Sequence, residues 1–284
     1  MENITFSEPL RSGRPAYERI ARLQQLIKDC PDSSLRITMD LAETRTGLSF
    51  IFLLACLPYF AAVNSKTLFL TVDKKTFGLM QRIQVPGVRS LDGVETKERK
   101  TGFRILRSLA DVVQLTEDIW SGFPVQTSEK LGGALKFNIG EVFNNASGHA
   151  EAKRIIGGWH TKPSGLYCFS CYDTGVGIPE NVNRYREANG YERILDTQAL
   201  KWALGRGHST STQRGRGLGL DMLKRFSIEN EGAIHICSGS AYYILNKGSW
   251  RCIELSRRFH GTFFEMDIAR NGKEYLFREE QNGY

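Results

Sequence analysis

An acidic residue at the end of a predicted strand is placed to bind an amino group. Asp173 closes the alternating segment 167–173, and Gly175 and Gly177 follow within four residues. Two glycines at this spacing permit a tight turn with a close backbone approach. A carboxylate there can accept a hydrogen bond from an exocyclic amine such as that of adenine. A structural Asp–Gly turn explains the same residues equally well.

A second glycine-rich segment is suited to phosphate binding. Gly215, Gly217 and Gly219 alternate with Arg216 and Leu218, and a segment with helical periodicity follows. Glycines that open a helix expose backbone N–H groups near the positive end of the helix dipole, which favours phosphate. The segment is neither a Walker loop nor a dinucleotide fingerprint, because it lacks GxxxxGK[ST] and does not follow a strand.

Three polar residues are spaced to share one face of a predicted helix that starts near Ser128. Glu141, Asn145 and His149 follow one another at intervals of four residues. Residues four apart lie one above another on an α-helix. Taken alone, such a row is more often a solvated helix face than a site.

Together, in this order, the three segments resemble the GHKL superfamily. This is the ATP-binding fold of histidine kinases, type II topoisomerases, mismatch-repair ATPases, heat-shock chaperones and anti-sigma-factor serine kinases. The helical ExxxN pattern resembles its N-box, DTGVGIP (173–179) its first glycine box and GRGLGL (215–220) its second. The resemblance covers about residues 122–268, and EVFNNASGHA (141–150) is most similar to the anti-sigma kinase form.

The resemblance implies a site for ATP and Mg²⁺. Glu141 would be the general base, and Asn145 would hold Mg²⁺ that bridges the phosphates. Asp173 would bind the adenine amine, supported by Thr262 in the closing strand. Residues 180–213 would form a mobile lid over ATP. The other implied nucleotide-binding residues are His149, Gly175, Gly177, Arg206, Ser209, Thr210, Gly215, Arg216, Gly217, Leu218 and Gly219.

The histidines argue against one branch of the superfamily. A sensor histidine kinase needs a phosphoacceptor histidine on a helical hairpin before its ATPase domain. The chain has five histidines, and none precedes the N-box. Autophosphorylation in cis is therefore excluded.

The N-terminal third predicts a separate α/β arrangement. A helix follows Pro15, and Leu35–Leu41 alternates as a strand. The apolar segment Leu48–Val63 is too short to span a bilayer and contains a proline, so it predicts a buried helix. With a second strand at Thr67–Val72, the order predicts a βαβ unit with a parallel pair, followed by a helix over Lys74–Ile83.

This βαβ pattern is faintly similar to STAS-type domains, the usual partners of anti-sigma kinases, and a small α/β domain of another role fits it too. Ser49, Ser65 and Ser90 are candidate phosphoacceptors. The segment that begins at Phe103 predicts a long amphipathic helix ending near Trp120.

The fold expected overall is α/β, an α+β two-layer sandwich. A mixed sheet would be covered on one face by helices and preceded by the smaller α/β domain. The expected division is residues 1–85, a linker and connecting helix at 86–121, the ATP-binding domain at 122–270 and a C-terminal tail at 271–284.

Composition is compatible with this fold and limits the alternatives. The 284 residues are 41% hydrophobic and 24% charged, which excludes a disordered, collagen-like or coiled-coil chain. The net charge of +7 suits a polyanion, either a nucleotide or a nucleic acid. Six cysteines without paired CxxC motifs are expected to be buried thiols. Without a signal sequence, the protein is expected to be cytoplasmic, with no membrane association.

The leading hypothesis is a bacterial regulatory serine/threonine kinase of the anti-sigma type with a protein partner. The alternative is an ATP-gated switch or ATPase in a toxin–antitoxin or phage-defence module, because a carboxylate base serves a protein hydroxyl or a water equally well. Nucleic-acid binding through Lys97, Arg99, Lys100, Arg104 and Arg107 is a third possibility. A homodimer is possible, but the sequence shows no interface.

Overall fold

The computed structural model describes residues 3–6, 13–39, 47–82, 102–148, 152–205 and 219–276. The N-terminal elements are β1 (Asn3–Phe6), α1 (Arg14–Asp29), β2 (Ser34–Met39), α2 (Leu48–Val63), β3 (Thr67–Val72) and α3 (Lys74–Arg82). They are followed by β4 (Gly102–Leu106), α4 (Leu109–Ser121), β5 (Gln126–Thr127), α5 (Glu129–Gly148), β6 (Ile155–Thr161) and β7 (Tyr167–Asp173). The remaining elements are α6 (Ile178–Ala188), α7 (Asp196–Ala203), α8 (Gly219–Glu229), β8 (Ala233–Asn246), β9 (Ser249–Ile268) and β10 (Glu274–Tyr275).

The N-terminal βαβ unit is confirmed. Strands β2 and β3 pair in parallel and are connected by α2, which has the predicted bounds. Strand β1 adds a further parallel strand beside β2. Leu35, Ile37 and Met39 are buried, whereas Arg36 and Thr38 between them are more exposed. This alternation places one face of the small sheet against α1 and α2.

Helix α2 is buried on nearly all sides because it lies between two sheets. Twelve of its 16 residues are buried. An all-round apolar helix is stable in water only when neighbouring elements cover every face. In the described part of the chain, helices are all too short or too polar to cross a lipid bilayer.

The larger sheet has the strand order β4-β6-β7-β9-β8, and every pair in it is antiparallel. The structure is therefore of the α+β class, and the prediction that this sheet is mixed is wrong. The predicted helix from Phe103 is also wrong at its start, where β4 forms instead. Phe103 and Leu106 are buried on opposite faces of the sheet. Apolar residues three apart are compatible with a helical stripe and with a strand buried on both faces.

Helices cover both faces of this sheet, which corrects the prediction of a single covered face. Tyr172 and Phe263 pack with α1 and α2, whereas Phe169 and Phe264 pack with α4, α5 and α8. The N-terminal helices and the large sheet therefore share one buried cluster. The predicted boundary at residue 85 falls outside the described residues. Within the predicted tail, β10 pairs with β5 and buries Tyr275.

Candidate functional site

Asp173 ends β7 directly opposite Thr262 of β9, and Thr262 is in turn opposite Ser238 of β8. The three side chains form a polar row across neighbouring strands. Side chains alternate between the two faces of a strand. Because Phe169 and Cys171 pack on the α5 side, Asp173 and its row point toward α5.

The environment of Asp173 is buried but polar. The residue is 4% exposed, and its Oδ1 accepts a hydrogen bond of 2.8 Å from the Gly175 backbone N–H. Burial raises the pKa of Asp173 to about 7, while hydrogen bonds from Gly175 and Thr262 oppose the rise. A carboxyl group poised near neutrality is a common feature of binding and catalytic sites, although buried structural carboxyls show it too.

The turn after Asp173 requires glycine where the sequence analysis placed it. Gly177 has φ +92°, and a Cβ there would lie 2.8 Å from the Ser238 Oγ. The next backbone N–H, of Ile178, donates to that same oxygen at 2.9 Å. The Ser238 hydroxyl lies 3.2 Å from the Thr262 hydroxyl and donates to the carbonyl oxygen of Gly261 at 3.1 Å. The loop of the first glycine segment is thus bonded to the polar row.

Sequence reasoning missed Ser238 and Gly261. Ser238 stands in an ordinary strand sequence that offers no signal. The Gly–Thr pair within β9 could have drawn attention to Gly261, which has φ +87°. A Cβ on Gly261 would lie 1.9 Å from the Asp173 carbonyl oxygen, so the two backbones approach as only glycine permits.

Helix α5 carries Glu141 and Asn145 on one face, as predicted. Leu135 and Ile139 of its apolar stripe are buried. The Glu141 carboxylate is half-buried and accepts a hydrogen bond of 3.1 Å from the Asn144 amide, whereas Asn145 is exposed. An exposed amide and a carboxylate one turn apart are hard oxygen donors of the kind that Mg²⁺ prefers.

The last glycine of the second glycine segment lies against this helix. Gly219 opens α8, and a Cβ there would lie 2.6 Å from the Oδ1 of Asn138, one turn before Glu141. The N-terminus of α8 is thereby held beside α5. The other predicted residues of this segment and of the lid end lie outside the described residues: His149, Arg206, Ser209, Thr210, Gly215, Arg216, Gly217 and Leu218.

Much of the predicted lid is folded. Residues 180–205 include most of α6 and all of α7, in which Ala199 and Leu200 are fully buried. Asp196 anchors α7 to β8, because its Oδ2 accepts hydrogen bonds from the Ser240 backbone N–H at 2.7 Å and the Ser240 hydroxyl at 3.0 Å. This part of the segment between the glycine boxes is packed on the sheet.

A cluster of charged residues lies on the opposite face of the sheet, toward α2. Cys168, Glu265 and Asp267 converge closely enough to suggest a metal site. The Nζ of Lys162 lies 2.8 Å from Glu265 Oε1 and 2.7 Å from Asp267 Oδ1. The lysine ammonium therefore supplies the positive charge that these carboxylates need.

The structure describes two of the three candidate phosphoacceptor serines, and it gives an ion-pair partner for one of the basic residues. Ser49 is buried and donates a 2.7 Å hydrogen bond to Glu265, so its hydroxyl is sequestered in the folded protein. Ser65 is exposed, and Ser90 lies outside the described residues. Arg104, one of the residues proposed for nucleic-acid binding, forms an ion pair with Asp118.

Comparison with known proteins adds no assignment: no family model matches the chain, and no curated protein matches it. The functional case therefore depends on the three sequence segments and on the geometry above. That geometry provides a buried hydrogen-bond acceptor in a polar row and an oxygen-donor pair on α5, both on one side of the sheet. Such a site can hold the amine of a base at one end and a cation at the other.

Proposed function

We propose that the chain binds ATP with Mg²⁺ and transfers the γ-phosphoryl group to a hydroxyl of a partner protein, as a serine/threonine kinase similar to the anti-sigma-factor type of the GHKL superfamily. The observation that carries the proposal is the register of Asp173 with Thr262, beside a glycine turn that follows the acid at the GHKL spacing. The superfamily resemblance connects this acid to the helical ExxxN pattern, and both lie on the same side of the sheet.

The base would be held at Asp173. The ionised carboxylate accepts a hydrogen bond from the exocyclic amine, and Thr262 orients the carboxylate from across the strand pair. A buried charged acceptor discriminates against bases that lack the donor, because the carboxylate then has one hydrogen bond fewer in a site with little water.

The phosphates would lie toward α5 and the N-terminus of α8. Asn145 and the phosphate oxygens would hold Mg²⁺, which neutralises phosphate charge during transfer. Glu141 accepts the proton of the attacking hydroxyl. As the new oxygen–phosphorus bond forms, the bond from the γ-phosphorus to the β,γ-bridging oxygen breaks and ADP leaves.

A second candidate function is an ATP-gated switch, as in a toxin–antitoxin or phage-defence module. The observation that favours it is the shared core of α1, α2 and the large sheet. Through this core, a change at the sheet on nucleotide binding or hydrolysis would reach the N-terminal unit without transfer to another protein. Water would then replace the hydroxyl as the nucleophile.

The two functions differ in where the γ-phosphate goes. We would incubate purified protein with Mg²⁺ and γ-labelled ATP, with and without lysate of the source cells. A discrete labelled partner, absent with Glu141→Ala and present with Glu129→Ala, supports the kinase. Free phosphate released by the wild type and lost with Glu141→Ala, with no labelled protein, supports the switch. Neither product would contradict both.

A further inference from the structure

Strand β9 is interrupted immediately before Thr262. It pairs with β7 only as far as the Asp173–Thr262 pair, and it pairs with β8 at Thr262 and again at Phe259. His260 and Gly261 belong to neither ladder and form a bulge between these two points. The backbone groups of a buried bulge need partners from elsewhere.

A side chain of the N-terminal unit supplies the partners of His260. Gln24 of α1 is fully buried, and its Oε1 accepts a 2.9 Å hydrogen bond from the His260 N–H. Its Nε2 donates to the His260 carbonyl oxygen at 2.9 Å and to the Tyr172 hydroxyl at 2.9 Å. The Gln24 amide therefore bonds both backbone groups of His260, as a paired strand does in a regular sheet. The ring of Phe60 on α2 stacks on the His260 ring, with centroids 5.7 Å apart.

The bulge sets the backbone that meets Asp173. Gly261, next to His260, has φ +87° and approaches the Asp173 carbonyl oxygen at a distance that excludes a side chain. Its own carbonyl oxygen accepts from Ser238. The position of Thr262 relative to the Asp173 carboxylate therefore depends on a backbone conformation that Gln24 holds from the other face of the sheet.

We propose that Gln24 is a positioning residue for the base end of the nucleotide site, so that attachment of α1 to the sheet and recognition of the base are energetically linked. This inference rests on the proposed ATP binding. Linkage is reciprocal: bound nucleotide stabilises the α1–sheet contact, and a partner that displaces α1 weakens nucleotide binding. The N-terminal unit would thus regulate the site through a contact on the opposite face of the sheet.

The test compares two nucleotides in two variants. Gln24→Met keeps the length of the side chain and removes both hydrogen-bonding groups. Gln25→Met is the matched control, because Gln25 is the next residue of α1 and its amide donates to Asp29 of the same helix. Calorimetry measures the affinity for ATP and for purine riboside triphosphate, which lacks the exocyclic amine. Unfolding temperature and circular dichroism establish that each variant is folded.

We expect Gln24→Met to weaken ATP binding about tenfold, a typical coupling between sites. Affinity for the amine-free nucleotide should change by less than about twofold, the range expected for independent sites. Gln25→Met should change neither. In an Asp173→Asn background, Gln24→Met should have no further effect on ATP, because it acts through the acid.

Equal losses for both nucleotides would overturn the inference, since they would reflect general destabilisation, and so would no loss for either. If Gln24→Met does not fold, Tyr172→Phe removes the hydroxyl that bonds Gln24 and also donates to the His260 carbonyl oxygen, with the same outcomes expected. A wild type that binds ATP while these variants behave like it overturns this inference alone. A wild type that binds no ATP overturns the proposed function and the inference with it.

Discussion

Thr262 lies directly opposite Asp173 across strands β7 and β9, and the hydrogen bonds of Asp173 come from Thr262 and from the glycine turn that follows it. The Asp173 carboxyl group is buried at the end of its strand and is held there by donors from the neighbouring strand and from the turn. A polar row of this kind gives the site one acceptor of fixed direction. In the proposed ATP site, the protonation state of this carboxyl group would control how strongly the base is held.

ATP affinity is expected to depend on pH through Asp173. The pKa of about 7 lies above the ordinary aspartate value because of burial, so the acid gains a proton as the pH falls through neutrality. The carboxylate accepts a stronger hydrogen bond from the amine than the neutral acid does, so affinity should fall by up to about tenfold between about pH 8 and about pH 6. Calorimetry of Asp173→Asn over the same pH range is the control. This variant lacks the Asp173 carboxyl group, so any change in its affinity reflects protonation of ATP or of other groups. Equal pH dependence in both proteins would contradict this role.

Glu141→Ala is expected to leave ATP binding intact and to reduce turnover by about 10²–10⁴-fold, the usual contribution of a general base. Glu129→Ala, in the exposed first turn of the same helix, should leave turnover unchanged. Both rates would be measured as phosphate released or transferred per enzyme. Turnover that survives in Glu141→Ala would show that the carboxylate is not the base.

Lys162→Met is expected to destabilise the fold by about 3–5 kcal/mol, because it leaves Glu265 and Asp267 buried without a cation. Burial disfavours ionisation of Glu265, but Lys162 holds its pKa well below the usual value. Lys273→Met breaks an exposed pair with Glu231 of 3.4 Å, worth about 0–1 kcal/mol. Urea unfolding compares the two variants. Similar small losses would mean that the cluster is hydrated rather than buried.

Gly261→Ala is expected to destabilise the protein and to weaken ATP binding. Gly272→Ala is matched in conformation, because Gly272 has φ +68° but open space around its Cβ position. That control should cost about 1–2 kcal/mol through backbone strain alone. Gly261→Ala should cost about 1–3 kcal/mol more, since the added Cβ collides with the Asp173 carbonyl. Equal losses of unfolding free energy in urea would show that the backbones of β7 and β9 can move apart at Gly261 without a free-energy cost.

A helix or strand could be predicted from the sequence where its pattern of apolar residues is compatible with only one type of element. Helix α2 has the predicted bounds because an apolar run of this length without a charged residue has few ways to be buried. Strand β4 was missed because apolar residues three apart are compatible with either period. No local pattern reveals which elements cover a sheet, so the packing of α1 and α2 on the large sheet was not foreseen.

The residues of the candidate site also fall into two groups, those with a local sequence signal and those without one. Asp173, Gly177 and Thr262 carry motif signals because their chemistry or conformation restricts the residue type. Ser238 and Gln24 carry none, because their roles arise from strand register and from a helix that packs from a distant part of the chain. Sequence reasoning finds groups that chemistry restricts locally, and it misses the residues that position them from afar.

Calorimetric titration of ATP with Mg²⁺ into the wild type and into Asp173→Asn shows whether this carboxylate binds the base of the nucleotide. Asp32→Asn, an exposed position, is the control. We predict binding by the wild type and by Asp32→Asn, and a loss of at least about tenfold in Asp173→Asn, as when a charged acceptor is removed. Equal affinity in all three proteins would contradict the base site, and no binding by the wild type would contradict the proposed function as a whole.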